Sequence, residues 1–300
     1  MVPTIYYYLN TKDSTDQLGS RAEIAINQSK NGAQVLLLKD IADTYMPRCW
    51  IAIIKKWFEN SPESFHESFV KIDKPEVLKR QFEAEAKKSK KLLSLEQQFI
   101  VDNIFSRFPK AGVSLSEISI NADSIKISTI GDNFVFIFDH DTKKLSVYCS
   151  MISEQGKVDF SQPCHAFYSD LTSLGTTLQI SKKIADLDIF IMTRDLANWF
   201  IEEFHKNKNT SIGILRNLDD SKFDEILSKC AKRGQYLGIP FNTEGSALVF
   251  IPLKKKLNRK NIIDTIISFI KKYKLYLAGG SILVSAIIAF VYFIVKISSK

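Results

Sequence analysis

The sequence predicts an α+β fold built around an antiparallel sheet, followed by one helix that crosses a membrane. Three stretches carry this reading. Residues 112–139 hold three short β-rich runs, GVSLSEISIN, SIKISTI and NFVFIFD, parted only by turn residues. Neighbouring strands with such short connections pair antiparallel. Residues 60–106 change character: 79–105 is rich in Lys and Glu, free of Gly and Pro, and spaced as helix. Leu275–Val295 then gives 21 consecutive residues without a charge, enough to cross roughly 30 Å of hydrocarbon.

Taken in order, residues 4–9 (TIYYYL) and 22–26 (AEIAI) read as strands. Asn31-Gly32 marks a tight turn into a buried strand at 33–38, AQVLLL. A loop then leads to an amphipathic helix over 50–58, with Trp50, Ile53, Ile54 and Trp57 on one face. The 60–106 segment is expected as a solvated helix or helical hairpin covering a sheet, with a partner-binding helix as the second reading. After the three central strands, Asp139–Lys144 forms a hairpin loop into LSVYC, and residues 150–180 are loop-rich. Residues 187–203, LDIFIMTRDLANWFIEE, read as an apolar strand, a polar corner at Thr193-Arg194-Asp195, and a helix. A second helix runs over about 223–233, and the last strand is ALVFIP at 247–252.

Charge is unevenly placed. The formal net charge of +8 resolves once mapped. Residues 251–274 hold eight basic residues against Asp264, and Lys296 and Lys300 add two, so residues 1–250 carry −1. A nucleic-acid binder carries its basic patch on the folded domain, so no nucleic-acid partner is expected. Cys49, Cys149, Cys164 and Cys230 form no CxxC pair, which argues against structural zinc or a disulfide framework. Cys49 and Cys149 read as small buried hydrophobes. His66, His140, His165 and His205 are scattered without metal-ligand spacing, and no phosphate-binding glycine loop or HExxH is present.

Tyr276 and Tyr292 sit near the ends of the apolar run, as interfacial aromatics do. With five residues after it, the run reads as a tail anchor. The basic cluster before it places the N-terminal domain in the cytoplasm by the positive-inside rule. Residues 253–274 form a basic, amphipathic juxtamembrane segment that should lie along anionic headgroups.

Polar corners follow apolar strands at Lys39-Asp40 and Arg194-Asp195, precede the final strand at Glu244-Gly245, and form Gly131-Asp132 between two strands. Their order over residues 5–252 resembles the metal-dependent type 2C Ser/Thr protein phosphatases, particularly the bacterial-style branch. Leu36–Phe58 looks like that family's Ala-Asp-Gly loop and following helix. Gly131-Asp132-Asn133 matches its Gly-Asp turn, and Asp159-Phe160 with Pro163 and Ser169 resembles the next segment. Residues 187–203 look like its Thr-Asp corner, and Thr243–Phe250 like its closing strand.

The resemblance implies a four-layer α-β-β-α sandwich over residues 1–252, with 60–106 as a helical segment within it. It also implies a cluster of acids between the sheets that binds two divalent cations and activates a water. Carried over residue by residue, that cluster falls on Glu23, Lys39, Arg194 and Glu244. Lysine and arginine cannot ligate Mg²⁺ or Mn²⁺. A degenerate site is therefore expected, with a salt-bridge cluster of Glu23 and Glu244 against Lys39 and Arg194 filling the metals' space.

This leads to a membrane-tethered phosphatase-like protein, a pseudophosphatase that binds a protein partner, phosphorylated or signalling, with no cofactor. Internal salt bridges are the favoured role of Lys39 and Arg194, and phosphate contacts the second. Two rivals stay open. One is an active Mn²⁺/Mg²⁺ phosphoprotein phosphatase whose metal ligands are Glu23, Asp40, Asp195 and Glu244. The other is an unrelated tail-anchored α+β adaptor.

Overall fold

A computed structural model describes residues 3–10, 21–30, 32–41, 44–62, 65, 75–103, 110–121, 124–150, 158, 166–169, 178–183, 186–237 and 245–253. The chain divides into a compact unit, Met1–Lys254, and a second, Lys255–Lys300. The expected anchor at 275–295 and nearly all of the juxtamembrane segment lie outside the described residues. Among the described residues, no helix is long and apolar enough to cross a membrane.

Eleven strands are described: β1 (Tyr6–Leu9), β2 (Ala22–Ser29), β3 (Gly32–Asp40), β4 (Gly112–Ile120), β5 (Ser124–Ile130), β6 (Asn133–Asp139), β7 (Lys144–Tyr148), β8 (Phe167–Tyr168), β9 (Leu178–Lys183), β10 (Leu187–Thr193) and β11 (Ala247–Leu253). They form two antiparallel sheets. One runs β1-β11-β10-β6-β7; the other runs β2-β3-β4-β5-β9, with β8 paired to β4. The helices are α1 (Pro47–Asn60), α2 (Pro75–Lys90), α3 (Leu95–Asn103), α4 (Arg194–Lys206), α5 (Lys208–Arg216) and α6 (Asp220–Leu237).

Alternation along the strands sorts the side chains into layers. Val35 and Leu37 of β3 face inward with Ile118, Ile127, Val135, Ile189, Ile191 and Val249, forming the core between the sheets. Leu36 and Leu38 face the other way, onto Trp50, Ile54 and Phe58 of α1. Phe134, Phe136, Phe190 and Leu248 likewise leave the sheet interface to pack under Phe200, Ile212 and Ile226 of α4–α6. The result is helix, sheet, sheet, helix. Each fully buried Ile or Val contributes roughly 1.5–3 kcal/mol, so the inner core alone holds the sheets face to face.

Within the 60–106 region, the described residues 75–103 form a helical hairpin of α2 and α3. Phe82 and Ala86 of α2, Leu93 of the turn and Val101 of α3 reach the core that also contains α1. Helix α5 and the edge strand β9 were not predicted. Strand β9 reads LQISKK and depends on pairing with β5 for its place.

Candidate functional site

At one end of the interface the inner layer turns from apolar to polar. Alternation carries the inward face of β3 from Val35 and Leu37 to Lys39, whose strand partners are Ala22 on β2 and Ser114 on β4. The same face of β4 and β5 presents Ser114, Ser116 and Thr129, all buried. Ser116 Oγ lies 2.8 Å from Thr129 Oγ1, and Thr129 Oγ1 donates to Asn133 O at 3.1 Å.

The opposing sheet supplies Asn133 and Thr193, paired in register at the ends of β6 and β10. Asn133 Nδ2 donates across the gap to Leu37 O at 3.2 Å, stitching the sheets together. Thr193 Oγ1 accepts from Ala247 N at 3.2 Å, tying β10 to β11. Thr193 is also the N-cap of α4, yet its side chain makes no cap bond. The strand-to-strand bond takes the oxygen a helix cap would use.

Two cations and two carboxylates meet here. Lys39 Nζ lies 3.8 Å from Asp195 Oδ2, and Arg194 Nη1 lies 3.5 Å from Asp132 Oδ1. Lys39 is 13% exposed in its side chain and Arg194 32%, so the first pair is deep and the second reachable from solvent. Asp132 sits in the β5–β6 turn, whose Gly131 has φ 88°, a conformation that favours glycine. Ser114 Oγ accepts from Asp132 N at 2.8 Å, and Ser150 bonds both the N–H and the carbonyl of Gly131.

Burial pushes the Asp195 carboxyl above its ordinary value, with Lys39 and then Arg194 opposing the rise and Asp132 adding to it. The Cys230 thiol, 3.9 Å from Asp195 O, is pushed up to about 12 by burial and then by the Asp195 charge. At that value it stays a neutral thiol and cannot serve as a nucleophile.

The other predicted residues lie elsewhere. Glu23 is opposite Leu38 on β3, hence on the α1 side of its sheet. There it pairs with Arg21 and with Lys55 Nζ at 2.8 Å. It does not join Lys39, so strand register takes Glu23 out of the expected salt-bridge cluster of Glu23 and Glu244 with Lys39 and Arg194. Asp40 also faces away from Lys39. It is buried, and its Oδ1 accepts from Arg21 N at 3.0 Å, closing the end of the β2–β3 pair. The alternative ligand set of Glu23, Asp40 and Asp195 is thus split across the two faces of one sheet. Glu244 lies outside the described residues.

Asp132 and the buried hydroxyls were not singled out as site residues. The signal for Asp132 was the Gly-Asp turn itself. For the hydroxyls it was a run of Ser and Thr at alternating positions of otherwise apolar strands.

Divalent cations need several oxygen ligands, mostly anionic. Among the described residues no three His, Cys, Asp or Glu side chains come together in a way that could hold a metal. Lys39 pairs with Asp195 and Arg194 with Asp132, so the two cations and two carboxylates balance in charge. The described side chains at this end, which do not include Glu244, do not fit the two divalent ions that the resemblance implies.

No protein-family model matches the sequence, and no curated protein matches it. Solved structures do. An arginine-to-lysine variant of a bacterial serine phosphatase has a TM-score of 0.52 at 9% identity, covering 85% of this chain and 100% of its own. The serine/threonine phosphatase Stp1 of Staphylococcus aureus has a TM-score of 0.51 at 10% identity, covering 84% and 96%. The chain has the fold of the bacterial type 2C serine/threonine phosphatases, and the likeness at this identity is one of fold alone.

Proposed function

We propose that this chain is a pseudophosphatase tethered to a membrane, which acts by binding a protein partner rather than by hydrolysis. The observation behind this reading is the pairing of Lys39 with Asp195 and of Arg194 with Asp132 between the sheets. In a low-dielectric cleft, a fixed ammonium or guanidinium repels a dication. The ion pairs also offset the charge of the carboxylates, although Asp132 Oδ1 accepts no hydrogen bond among the described residues.

The tether is the apolar run at 275–295, with the basic segment before it against anionic headgroups and the domain on the cytoplasmic side. A phosphorylated partner would meet Arg194 first, since it is the more exposed cation and its planar fork suits a phosphate. Such a phosphate has to compete with Asp132, so binding is weak and easily reversed.

The test uses the full chain in detergent, assayed with an aryl phosphate in Mn²⁺ and in chelator. No turnover in either is expected. Turnover that disappears in chelator would overturn the reading in favour of an active metal-dependent phosphatase.

A further inference from the structure

The corner joining α2 to α3 is built firmly and then left uncovered. Three backbone bonds close it: Lys91 N to Lys88 O at 3.2 Å, Leu92 N to Ser89 O at 2.9 Å, and Leu93 N to Lys90 O at 3.2 Å. Ser94 and Gln97 then cap α3 reciprocally. Ser94 N donates to Gln97 Oε1 at 3.1 Å, and Gln97 N to Ser94 Oγ at 3.2 Å. Lys90 pairs with Asp102, tying the end of α2 to α3. Leu93 and Val101 anchor the corner in the core.

Three large apolar side chains nonetheless stand in water: Leu92 is 70% exposed, Leu95 85% and Phe99 68%. Leu95 and Phe99 are four residues apart on α3 and so share one face, with Leu92 just before them. At these exposures the three project from the surface rather than line a groove. Around them, residues 87–99 hold Lys87, Lys88, Lys90 and Lys91 against Glu96. Lys90 is paired with Asp102, and Lys88 lies 4.0 Å from Glu85, both just outside that window. That leaves Lys87 and Lys91 as the cations facing solvent without an ion pair among the described residues. Lys87, Lys88 and Lys91 are exposed.

Projecting leucine and phenylalanine ringed by lysine matches one surface well. The acyl boundary of a bilayer accepts the apolar tips while anionic headgroups take the ammoniums. Covers supplied by this chain fit poorly. Its own segment 254–274 is basic, like the corner, and a second copy docked corner to corner would set lysine against lysine.

We propose that the α2–α3 corner is a second membrane contact, inserting Leu92, Leu95 and Phe99 into an anionic leaflet and holding the domain against the bilayer. The proposal rests on the tethered reading only for the nearness of a membrane.

The test is Phe99→Trp in the full chain, reconstituted into phosphatidylcholine vesicles with and without phosphatidylserine and with lipids brominated high on the acyl chain. Flotation reports the tail, and quenching beyond that of the three native tryptophans reports the corner. Blue-shifted, bromine-quenched emission is expected in phosphatidylserine vesicles. Each of Lys87→Gln, Lys88→Gln and Lys91→Gln should weaken the contact roughly fivefold.

A Phe99→Trp chain that floats without this added quenching overturns the corner contact and leaves the tether standing. Failure to float overturns both. A blue shift that depends on protein concentration and not on brominated lipid overturns the contact in favour of a second copy as the cover. Quenching indifferent to phosphatidylserine and to the lysines overturns the anionic character of the contact.

Discussion

Lys39 on β3 and Asp195 at the start of α4 meet at 3.8 Å between the two sheets, so each sheet contributes one charge to a pair neither could keep alone. Asp195 is the more strained partner. Burial holds its carboxyl above the ordinary value, and Lys39 is the strongest influence opposing that rise. A carboxyl whose folded pKa exceeds its unfolded one binds a proton more tightly when folded. Stability therefore falls as pH rises from the unfolded pKa through the folded one, and is recovered on acidification.

Replacing Lys39 by Met leaves Asp195 without that influence and widens the pH window. The pair is partly solvated, so the cost is below that of a fully buried pair, about 2 kcal/mol near pH 8. The deficit against the native chain should be smaller at an acidic pH, where Asp195 takes up a proton. Chemical denaturation at the two pH values measures it. A deficit that grows on acidification would contradict the assignment.

Converting both cations to acids tests whether the frame can still take a metal. Lys39→Asp with Arg194→Asp gathers four carboxylates at one end of the sheets, and in chelator this variant should melt well below the native chain. Mn²⁺ should restore it. A hundredfold excess over the dissociation constant is worth about 2.7 kcal/mol, or several degrees for a domain of this size. The native chain should show no such response. Equal melting of the variant with and without Mn²⁺ would mean that the remaining oxygens are wrongly placed for a cation.

The other end of β10 carries a separate polar cluster. Asp188 is fully buried and accepts from Arg216 Nε at 2.6 Å and Nη2 at 3.1 Å, with His140 Nε2 3.0 Å from its Oδ2. Arg216→Met leaves that carboxylate with His140 alone and, because the arginine is partly solvated, should cost about 2 kcal/mol. Adding Asp188→Leu should return much of the loss, because the pair is then replaced by apolar volume. Additive losses in the double variant would show that the arginine acts by packing alone.

Much of the architecture was legible because its causes are local. Period-2 alternation in AQVLLLKD, SLSEISI and NFVFIFD sets which side chains share a face. The same alternation places Lys39 and Asp40 on opposite sides of β3, whatever that strand pairs with. The apolar face of PRCWIAIIKKWF and the Thr-Arg-Asp corner were readable for the same reason. That positions 39 and 194 carry cations needed no coordinates.

What the sequence could not decide was partnership, because partners are set by register between distant strands. Pairing Glu23 with Leu38 turns that acid towards Lys55 and removes it from the site. Pairing Thr193 with Asn133 brings the turn that holds Asp132 beside the start of α4, where Arg194 finds it. The charges were written in the chain; which carboxylate neutralises which cation was decided only when two sheets packed face to face.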